Sequence, residues 1–255
     1  MKTIRIIPCL DCKFIGKKAT VVKGIQFQSL KQIGNPVDLA KKYYNQGADE
    51  ICFLDITASQ ESRKTMLKTI KQVSQEVFIP LTVGGGIKSV KDAQKAFQAG
   101  ADKVSINTAA LGNPELIQEI SQQFGQQACV IAMDVKQIGK EWLVFSYGGT
   151  RNTERSAIEW AQTAEKLGAG ELLVTGIGND GMKTGYDNEL LKKINQKVKI
   201  PVIASGGAGS LKDIKNGIIQ GKADAVLIAS LFHFNQFTVQ EVKKYLTKKG
   251  ICVRL

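Results

Sequence analysis

Short apolar runs and longer stretches with helical spacing alternate along the whole chain. The short runs are rich in Val, Ile and Leu, and each precedes a stretch in which apolar residues recur every three or four positions. The stretches with helical spacing are residues 36–46, 62–77, 90–99, 114–124, 156–167, 188–197, 211–220 and 239–248. Buried strands that alternate with amphipathic helices predict βαβ units and a parallel sheet.

The second half of the chain repeats the first. Residues 79–93 read IPLTVGGGIKSVKDA and residues 200–214 read IPVIASGGAGSLKDI, so that seven of fifteen positions are identical at an offset of 121 residues. Offsets within two residues of this value relate three more pairs of segments: 48–54 with 169–175, 101–104 with 223–226, and 6–11 with 129–134. Each half therefore contains four strands that have counterparts in the other half.

Eight βα units in 255 residues match the size of a (β/α)8 barrel. The repeat predicts a TIM barrel built from two four-unit half-barrels, with residues 1–255 as a single domain. An open doubly wound sheet is the alternative, but no GxGxxG string opens the first helix. In a barrel, the chemistry belongs to the loops that follow the carboxyl ends of the strands.

Composition narrows the class of protein. Apolar residues make up 43% of the chain and charged residues 23%, as in globular proteins. The longest apolar runs, such as residues 226–229, fall far below the ~18 residues that span a bilayer. The N-terminus begins directly with a strand-like run and shows no secretory signal, so we expect a cytoplasmic protein that does not insert into membranes.

The chain is basic, with 35 Lys and Arg against 23 Asp and Glu and a net charge of +12. This balance favours anionic partners, either phosphorylated metabolites or nucleic acid. The lysines are dispersed, without a long basic block or interleaved aromatic residues, so we expect no nucleic-acid partner. A non-catalytic basic binding module remains an alternative to an enzyme.

Two aspartates end matching strands of the two halves. Asp11 ends strand 1 and Asp134 ends strand 5, which places the two carboxylates on opposite sides of one barrel mouth. Such a pair can act as proton donor and proton acceptor in one reaction. The alternative is that each carboxylate only caps the loop that follows it.

Glycine-rich loops also occur twice, half a barrel apart. Three glycines ending with Gly86 follow strand 3, and a Ser-Gly-Gly string ending with Gly207 follows strand 7. Thr108 after strand 4 and Ser230 after strand 8 add a hydroxyl beside each loop. Because glycine lets backbone N–H groups approach an anion closely, the symmetric pair predicts a ligand with two phosphates. Tight turns without a ligand are the alternative.

Four charged residues stand at or near the starts of strands, at the opposite end of the barrel. Arg5, Glu50, Lys103 and Glu171 have signs that could pair into a ring of alternating charge. Unpaired ions are costly inside a barrel, which favours pairing over an ordinary set of exposed charges.

Metal or redox chemistry is not expected. The five cysteines lie mostly in apolar runs, and the CxxC formed by Cys9 and Cys12 has no second pair. His233 is the lone histidine, and its aromatic neighbours favour a loop or packing role. We therefore expect no cofactor and no metal, and a chemistry carried by carboxylates.

The sequence closely resembles the cyclase subunit of imidazole glycerol phosphate synthase, the HisF family, over essentially its whole length. The strings that carry the resemblance are IIPCLD at residues 6–11, VVKG at 21–24, FLDITAS at 53–59, ADKVSIN at 101–107, NDG at 179–181 and IASGGAG at 203–209. The resemblance implies a lyase of histidine biosynthesis that converts a two-phosphate ribulosyl aminoimidazole carboxamide nucleotide, with ammonia, into imidazole glycerol phosphate and aminoimidazole carboxamide ribotide. It also implies a heterodimer with a glutaminase subunit that supplies the ammonia.

The resemblance assigns roles to individual residues. It makes Asp11 and Asp134 the general acid/base pair and makes Lys23 a loop lysine that contacts substrate. It further implies that the charged ring gates the entry of ammonia and that Asp102, beside Lys103, faces the partner. Residues that resemble those orienting polar parts of the substrate are Asp55, Asn107 and Asp180.

Two alternatives stay open within the same fold. One is the sister barrel that isomerises a related two-phosphate aminoaldose through paired aspartates. The other is a paralogue that feeds ammonia to a sugar amidotransferase, against which the presence of Lys23 counts. The segment between Asp11 and Lys23 is longer than is usual in the family.

Overall fold

A computed structural model describes residues 2–25, 28–58, 61 and 65–255. Eight parallel strands close into a barrel, β12 pairing with β1 and β7 with β10. In barrel order they are β1 (Arg5–Ile15), β4 (Ile51–Asp55), β5 (Leu81–Gly84), β6 (Lys103–Ile106), β7 (Cys129–Ile138), β10 (Glu171–Gly176), β11 (Val202–Ser205) and β12 (Ala225–Ile228). The predicted (β/α)8 barrel is confirmed.

Helices follow the barrel strands close to where the periodicity predicts them. They are α1 (Pro36–Asn45), α2 (Leu67–Ser74), α3 (Val90–Gln98), α4 (Thr108–Gly112), α5 (Glu115–Phe124), α6 (Ala157–Lys166), α7 (Asn188–Asn195), α8 (Leu211–Ile219), α9 (Ser230–His233) and α10 (Val239–Lys248). Residues 62–64 of the predicted second helix lie outside the described residues. Ser89 and Ser210, 121 residues apart, cap α3 and α8 in the same way, each accepting from a backbone N–H three residues on.

Two antiparallel hairpins were not predicted. Strands β2 (Lys18–Ile25) and β3 (Gln28–Gly34) continue the sheet from the end of β1, while β8 (Glu141–Ser146) and β9 (Arg151–Ser156) do the same from β7. We expected loops there, because the matched segments ended at the two aspartates. The hairpins arise because β1 and β7 run past the barrel rim and offer unpaired backbone groups, which the returning chain satisfies.

The alternation of side chains along β1 divides the core into two parts. Ile6 and Leu10 point outward into the cluster between sheet and helices, whereas Ile7 and Cys9 point inward. The inner cluster comprises Ile7, Cys9, Cys52, Val130, Leu173, Ile203, Ala225 and Leu227. Arg5 and Asp11 share the inward face of β1, so the inner apolar cluster lies between the level of Arg5 and the level of Asp11. No helix in the described part of the chain is long and apolar enough to cross a membrane.

Candidate active site

A cavity of about 490 Å³ opens at the carboxyl ends of the barrel strands. The polar residues predicted for the mouth all line it: Asp11, Lys23, Asp55, Gly86, Asn107, Thr108, Asp134, Asp180, Gly207 and Ser230. The barrel thus brings together residues that are up to 219 positions apart in the sequence, from Asp11 to Ser230. The four predicted ring residues are absent from this lining and lie at the other end.

Asp11 lies against a cation and a thiol. Lys23 Nζ is 3.1 Å from Asp11 Oδ2, and Cys9 Sγ donates to Asp11 Oδ1 at 3.3 Å. Burial alone would raise the pKa of Asp11, but the Lys23 ammonium outweighs it and holds that pKa below its ordinary value. Asp11 is therefore a carboxylate at neutral pH.

Lys23 joins the two sides of the mouth. It projects from β2, only 8% exposed, and its ammonium also contacts Asp180 Oδ1 at 3.2 Å. Burial opposes the charge, yet the two carboxylates raise the pKa of Lys23 above its ordinary value. The pKa of Asp180 is raised, because its own burial outweighs the lysine. The ammonium is thus held deep in the cavity by carboxylates rather than extended into solvent.

Asp134 has a different environment from Asp11. Asn107 Nδ2 donates to Asp134 Oδ2 at 3.0 Å, and no salt bridge reaches this carboxyl from the described residues. Burial raises the pKa of Asp134 to about 7, with the nearby Asp180 and Asp11 adding to the effect. Close to neutral pH, therefore, this carboxyl can hold a proton while Asp11 does not.

Two buried polar atoms face the interior without a partner among the described residues. They are Asn107 Oδ1 and Ser105 Oγ, both from the β6 side of the cavity. A buried polar atom without a partner is unfavourable, and a ligand can supply the missing hydrogen bond. Ser105 was missed from the sequence, although its place two residues before Asn107 puts it on the same face of β6.

The glycine loops have a packing reason for lacking side chains. Gly86 has a φ of +75°, and a Cβ there would meet Ala58 Cβ at 2.9 Å. Gly207 has a φ of +104°, and a Cβ there would overlap the Gly185 carbonyl oxygen. Both glycines line the cavity, but other protein atoms already occupy the space that a side chain at either position would fill. Substitutions at these positions would therefore strain the backbone whatever the loops bind.

The hydroxyl residues beside the glycine loops begin two short helices half a barrel apart. Thr108 opens α4 and Ser230 opens α9, and both line the cavity. Thr108 Oγ1 accepts from the Tyr147 backbone N–H at 2.8 Å, which leaves its proton available to a ligand. These hydroxyls can be tested without disturbing the strained glycines.

At the amino-terminal end of the barrel, the four predicted charges form a closed ring. Arg5 Nη1 is 2.8 Å from Glu50 Oε2 and 3.1 Å from Glu171 Oε1. Lys103 Nζ is 2.9 Å from Glu50 Oε2 and 3.1 Å from Glu171 Oε1. Glu50 is 1% exposed, so these are not ordinary exposed strand-start charges.

The other residues singled out in the sequence are two cysteines, the single histidine and Asp102. Cys9 lies in the inner cluster and Cys12 in the outer one, so the CxxC does not form one site. His233 is buried, with Nδ1 2.7 Å from the Tyr43 hydroxyl, and burial lowers its pKa to about 4, which agrees with a packing role. Asp102 is exposed at the amino-terminal end, where its carboxylate accepts from the Leu81 N–H.

The fold and the cavity define a class: a (β/α)8 barrel with a pair of buried carboxyl groups, in opposite electrostatic environments, at the carboxyl ends of its strands. Within that class the chain belongs to the histidine biosynthesis protein family, whose model matches residues 5–238. This match and the close relatives named HisF confirm the expected HisF family.

Close relatives match nearly the whole length of the chain. Proteins named imidazole glycerol phosphate synthase subunit HisF are 54% identical in Prosthecochloris aestuarii and 51% identical in Dehalococcoides mccartyi, each over 251 residues. A protein of the same name from Exiguobacterium sibiricum is 53% identical over 250 residues. In all three cases the match covers 98% of this chain and 98% of the relative.

Proposed function

We propose that this chain is the cyclase subunit of an imidazole glycerol phosphate synthase, a lyase of histidine biosynthesis. It uses ammonia to convert the two-phosphate ribulosyl aminoimidazole carboxamide nucleotide into imidazole glycerol phosphate and aminoimidazole carboxamide ribotide. The observation that carries the proposal is the pair of opposed aspartates, one held as an anion by Lys23 and the other with a pKa of about 7.

The pair divides the proton transfers between two residues. Addition of ammonia to a carbonyl requires a group that takes a proton from the incoming nitrogen, and cleavage of a C–N bond requires a group that gives one to the leaving nitrogen. Asp11, a carboxylate, acts as the base. Asp134, which can hold a proton near neutral pH, acts as the acid.

The cavity binds an elongated dianionic ligand across the two halves of the barrel. The loops containing Gly86 and Gly207, with the hydroxyls of Thr108 and Ser230, hold a phosphate at each end. The ammonium of Lys23, held by Asp11 and Asp180, lines the same cavity, and the unpartnered Asn107 Oδ1 accepts a hydrogen bond from the ligand. Asp55 and Asp180 orient its polar groups.

Ammonia reaches this site from the opposite end of the barrel, supplied by a glutaminase subunit in a heterodimer. The support is the closed ring of ion pairs formed by Arg5, Glu50, Lys103 and Glu171 at the amino-terminal end of the barrel, with the apolar inner cluster between it and the cavity. The apolar interior beyond the ring favours neutral ammonia over ammonium as the species that crosses it, because charge is costly in an apolar interior.

The reaction is tested with the two-phosphate nucleotide and an ammonium salt, followed by the fall in absorbance of the nucleotide. Ammonia-dependent turnover by the purified chain is the expected result. Turnover of the isomeric aminoaldose without ammonia would select the sister isomerase instead. Absence of both reactions in a folded preparation would reject the proposed function.

The ammonia route is tested by comparing two activities of the Lys103→Met variant in the complex. If the ring gates ammonia, the ratio of glutamine-dependent to ammonium-dependent turnover changes, because dissolved ammonia can enter through the open mouth. A matched control is Lys243→Met, which removes a buried lysine from its 2.7 Å ion pair with Asp49, outside the ring.

The control separates gating from general damage. Removing one partner of a buried ion pair can cost ~3–5 kcal/mol, so both variants are expected to lose stability. Only Lys103→Met should change the activity ratio. Equal proportional losses in both activities for Lys103→Met would remove the ring from the ammonia route while leaving the site at the mouth untouched.

A further inference from the structure

We infer that Cys9 is a positioning residue for Asp11: its buried thiol donates a hydrogen bond to Asp11 Oδ1 and keeps this carboxyl anionic and correctly turned toward the cavity. The inference rests on the proposed role of Asp11 as the catalytic base. In the sequence, Cys9 is one of five cysteines that lie mostly in apolar runs.

The geometry brings the Cys9 thiol within hydrogen-bond distance of a charged acceptor, the Asp11 carboxylate. Cys9 and Asp11 are two residues apart on the inward face of β1, and Sγ to Oδ1 is 3.3 Å. Lys23 contacts the other oxygen, Oδ2, at 3.1 Å. Two donors on two oxygens fix the plane of the carboxylate, which a single donor would leave free to rotate.

The direction of the hydrogen bond follows from the surroundings of the thiol. A side-chain hydrogen bond with Cys52, then burial, then the negative charge of Asp11 raise the pKa of Cys9 well above its ordinary value. The thiol therefore keeps its proton throughout the working pH range and is the donor. A thiol is a weak donor, but this one is 1% exposed, so water does not replace it.

Other ionisable groups act on Asp11 from every side of the mouth. Lys23 on β2 lowers its pKa, and so does the Coulombic effect of His233 on α9. Asp134 on β7 and Asp180 after β10 are both coupled to it electrostatically. Cys9 differs from these groups because it lies on the barrel wall itself, so its contact does not depend on the hairpin that carries Lys23.

The other half of the barrel supplies an internal control. At the offset of 123 residues that matches Asp11 with Asp134, the counterpart of Cys9 is Ala132. Ala132 packs against the same inner cluster but has no donor to offer. Ala132→Cys therefore introduces the thiol beside Asp134, and Cys9→Ala removes it beside Asp11.

The first measurement is the pKa of the Asp11 carboxyl in the free protein, obtained by carbon-13 NMR titration and assigned with Asp11→Asn. Cys9→Ala should raise this pKa by roughly 0.5–1 unit, whereas Cys9→Ser, which keeps a donor, should leave it unchanged or lower it. Ala132→Cys should lower the pKa of Asp134. An unchanged Asp11 pKa in folded Cys9→Ala would overturn the inference.

The second measurement needs no substitution of Cys9. The infrared S–H stretching band of a hydrogen-bonded thiol lies at lower frequency than that of a free thiol. The difference between the spectra of the wild type and the Asp11→Asn variant should therefore show one S–H band, that of Cys9, at a changed frequency. No shift would equally overturn the inference. Both experiments omit substrate, so a negative result here is distinct from failure of the proposed reaction.

Kinetics then connects the contact to catalysis. Cys9→Ala should lower kcat several-fold with little change in KM, and Cys9→Ser should restore kcat. A packing role alone predicts that both variants lose thermal stability without any change in the Asp11 pKa.

Discussion

The two halves of this barrel share a backbone architecture, but they place their matching aspartates in opposite electrostatic environments. Asp11 and Asp134 occupy matching positions within β1 and β7, on opposite sides of one mouth, and both strands continue beyond them. Asp11 has Lys23 and the thiol of Cys9 against its oxygens, whereas Asp134 has the amide of Asn107. As a result, the pKa of one carboxyl lies below its ordinary value and that of the other is about 7.

The difference lies in a few positions that the repeat does not conserve between the halves. Ala132 stands where the first half has Cys9, and at the offset of 122 residues Ala229 stands where it has Asn107. The matched strands thus hold the two carboxyl groups at fixed positions. The neighbouring residues that differ between the halves give the two carboxyl groups different pKa values. A site that must give a proton and take one needs both conditions.

The largest expected effect comes from removing either carboxyl. Asp11→Asn and Asp134→Asn should each reduce ammonia-dependent kcat by ~10²–10⁴, because an amide preserves shape but cannot exchange the proton. Steady-state kinetics with ammonium salt measures the loss. Substrate affinity, measured by equilibrium titration, should change little in either variant, and near-normal turnover in one of them would remove that residue from the pair.

The same two substitutions should affect stability in opposite directions. Because the folded pKa of Asp134 is about 7, well above its ordinary 3.8, the folded state binds more protons between these values and loses stability as pH rises through them. Asp134→Asn lacks this penalty and should be more stable than wild type at pH 8, by on the order of 4 kcal/mol. The folded pKa of Asp11 is lowered, so its ionised form stabilises the fold at pH 8.

Thermal unfolding at pH 8 and pH 5 tests this contrast. Asp11→Asn should lower Tm at pH 8, because Lys23 is left with Asp180 as its only ion-pair partner in the described structure. The advantage of Asp134→Asn over wild type should shrink at pH 5, where the native carboxyl is protonated. If both variants were destabilised equally at pH 8, the two aspartates would not differ as described.

The positions of the two aspartates and the two glycine loops of the site could be predicted from the sequence, for a physical reason. Strand ends in a parallel barrel meet at one rim, so Asp11, Asp134 and the two glycine loops could be located from apolar periodicity and the repeat alone. Lys23, Asp55 and Asp180 required the family resemblance, since nothing in their local pattern distinguishes them from loop residues. All of them line one cavity.

What the sequence did not predict depends on contacts between distant segments. The hairpins after β1 and β7 pair with backbone groups that would otherwise be unpaired at the rim. No local sequence pattern indicates these groups. Cys9 was indistinguishable from the other thiols in apolar runs, because its role depends on which face of β1 it occupies. The glycines show the reverse case: their positions were predicted, but positive φ and close packing already account for their lack of side chains.

The smallest predicted effects concern the two ends of the cavity that we propose bind phosphate, and they compare the halves of the barrel directly. Thr108→Val and Ser230→Ala should each raise the KM for the nucleotide about tenfold, because a hydrogen bond to a charged group is worth ~1.5–3 kcal/mol. Thr108→Ser and Ser230→Thr keep the hydroxyl and serve as controls with near-normal KM. If each half of the barrel holds one phosphate, the double variant should raise KM by the product of the single effects, as for distant independent sites. An effect at only one of the two positions would mean that the halves, alike in backbone, differ in their ligands as well as in their aspartates.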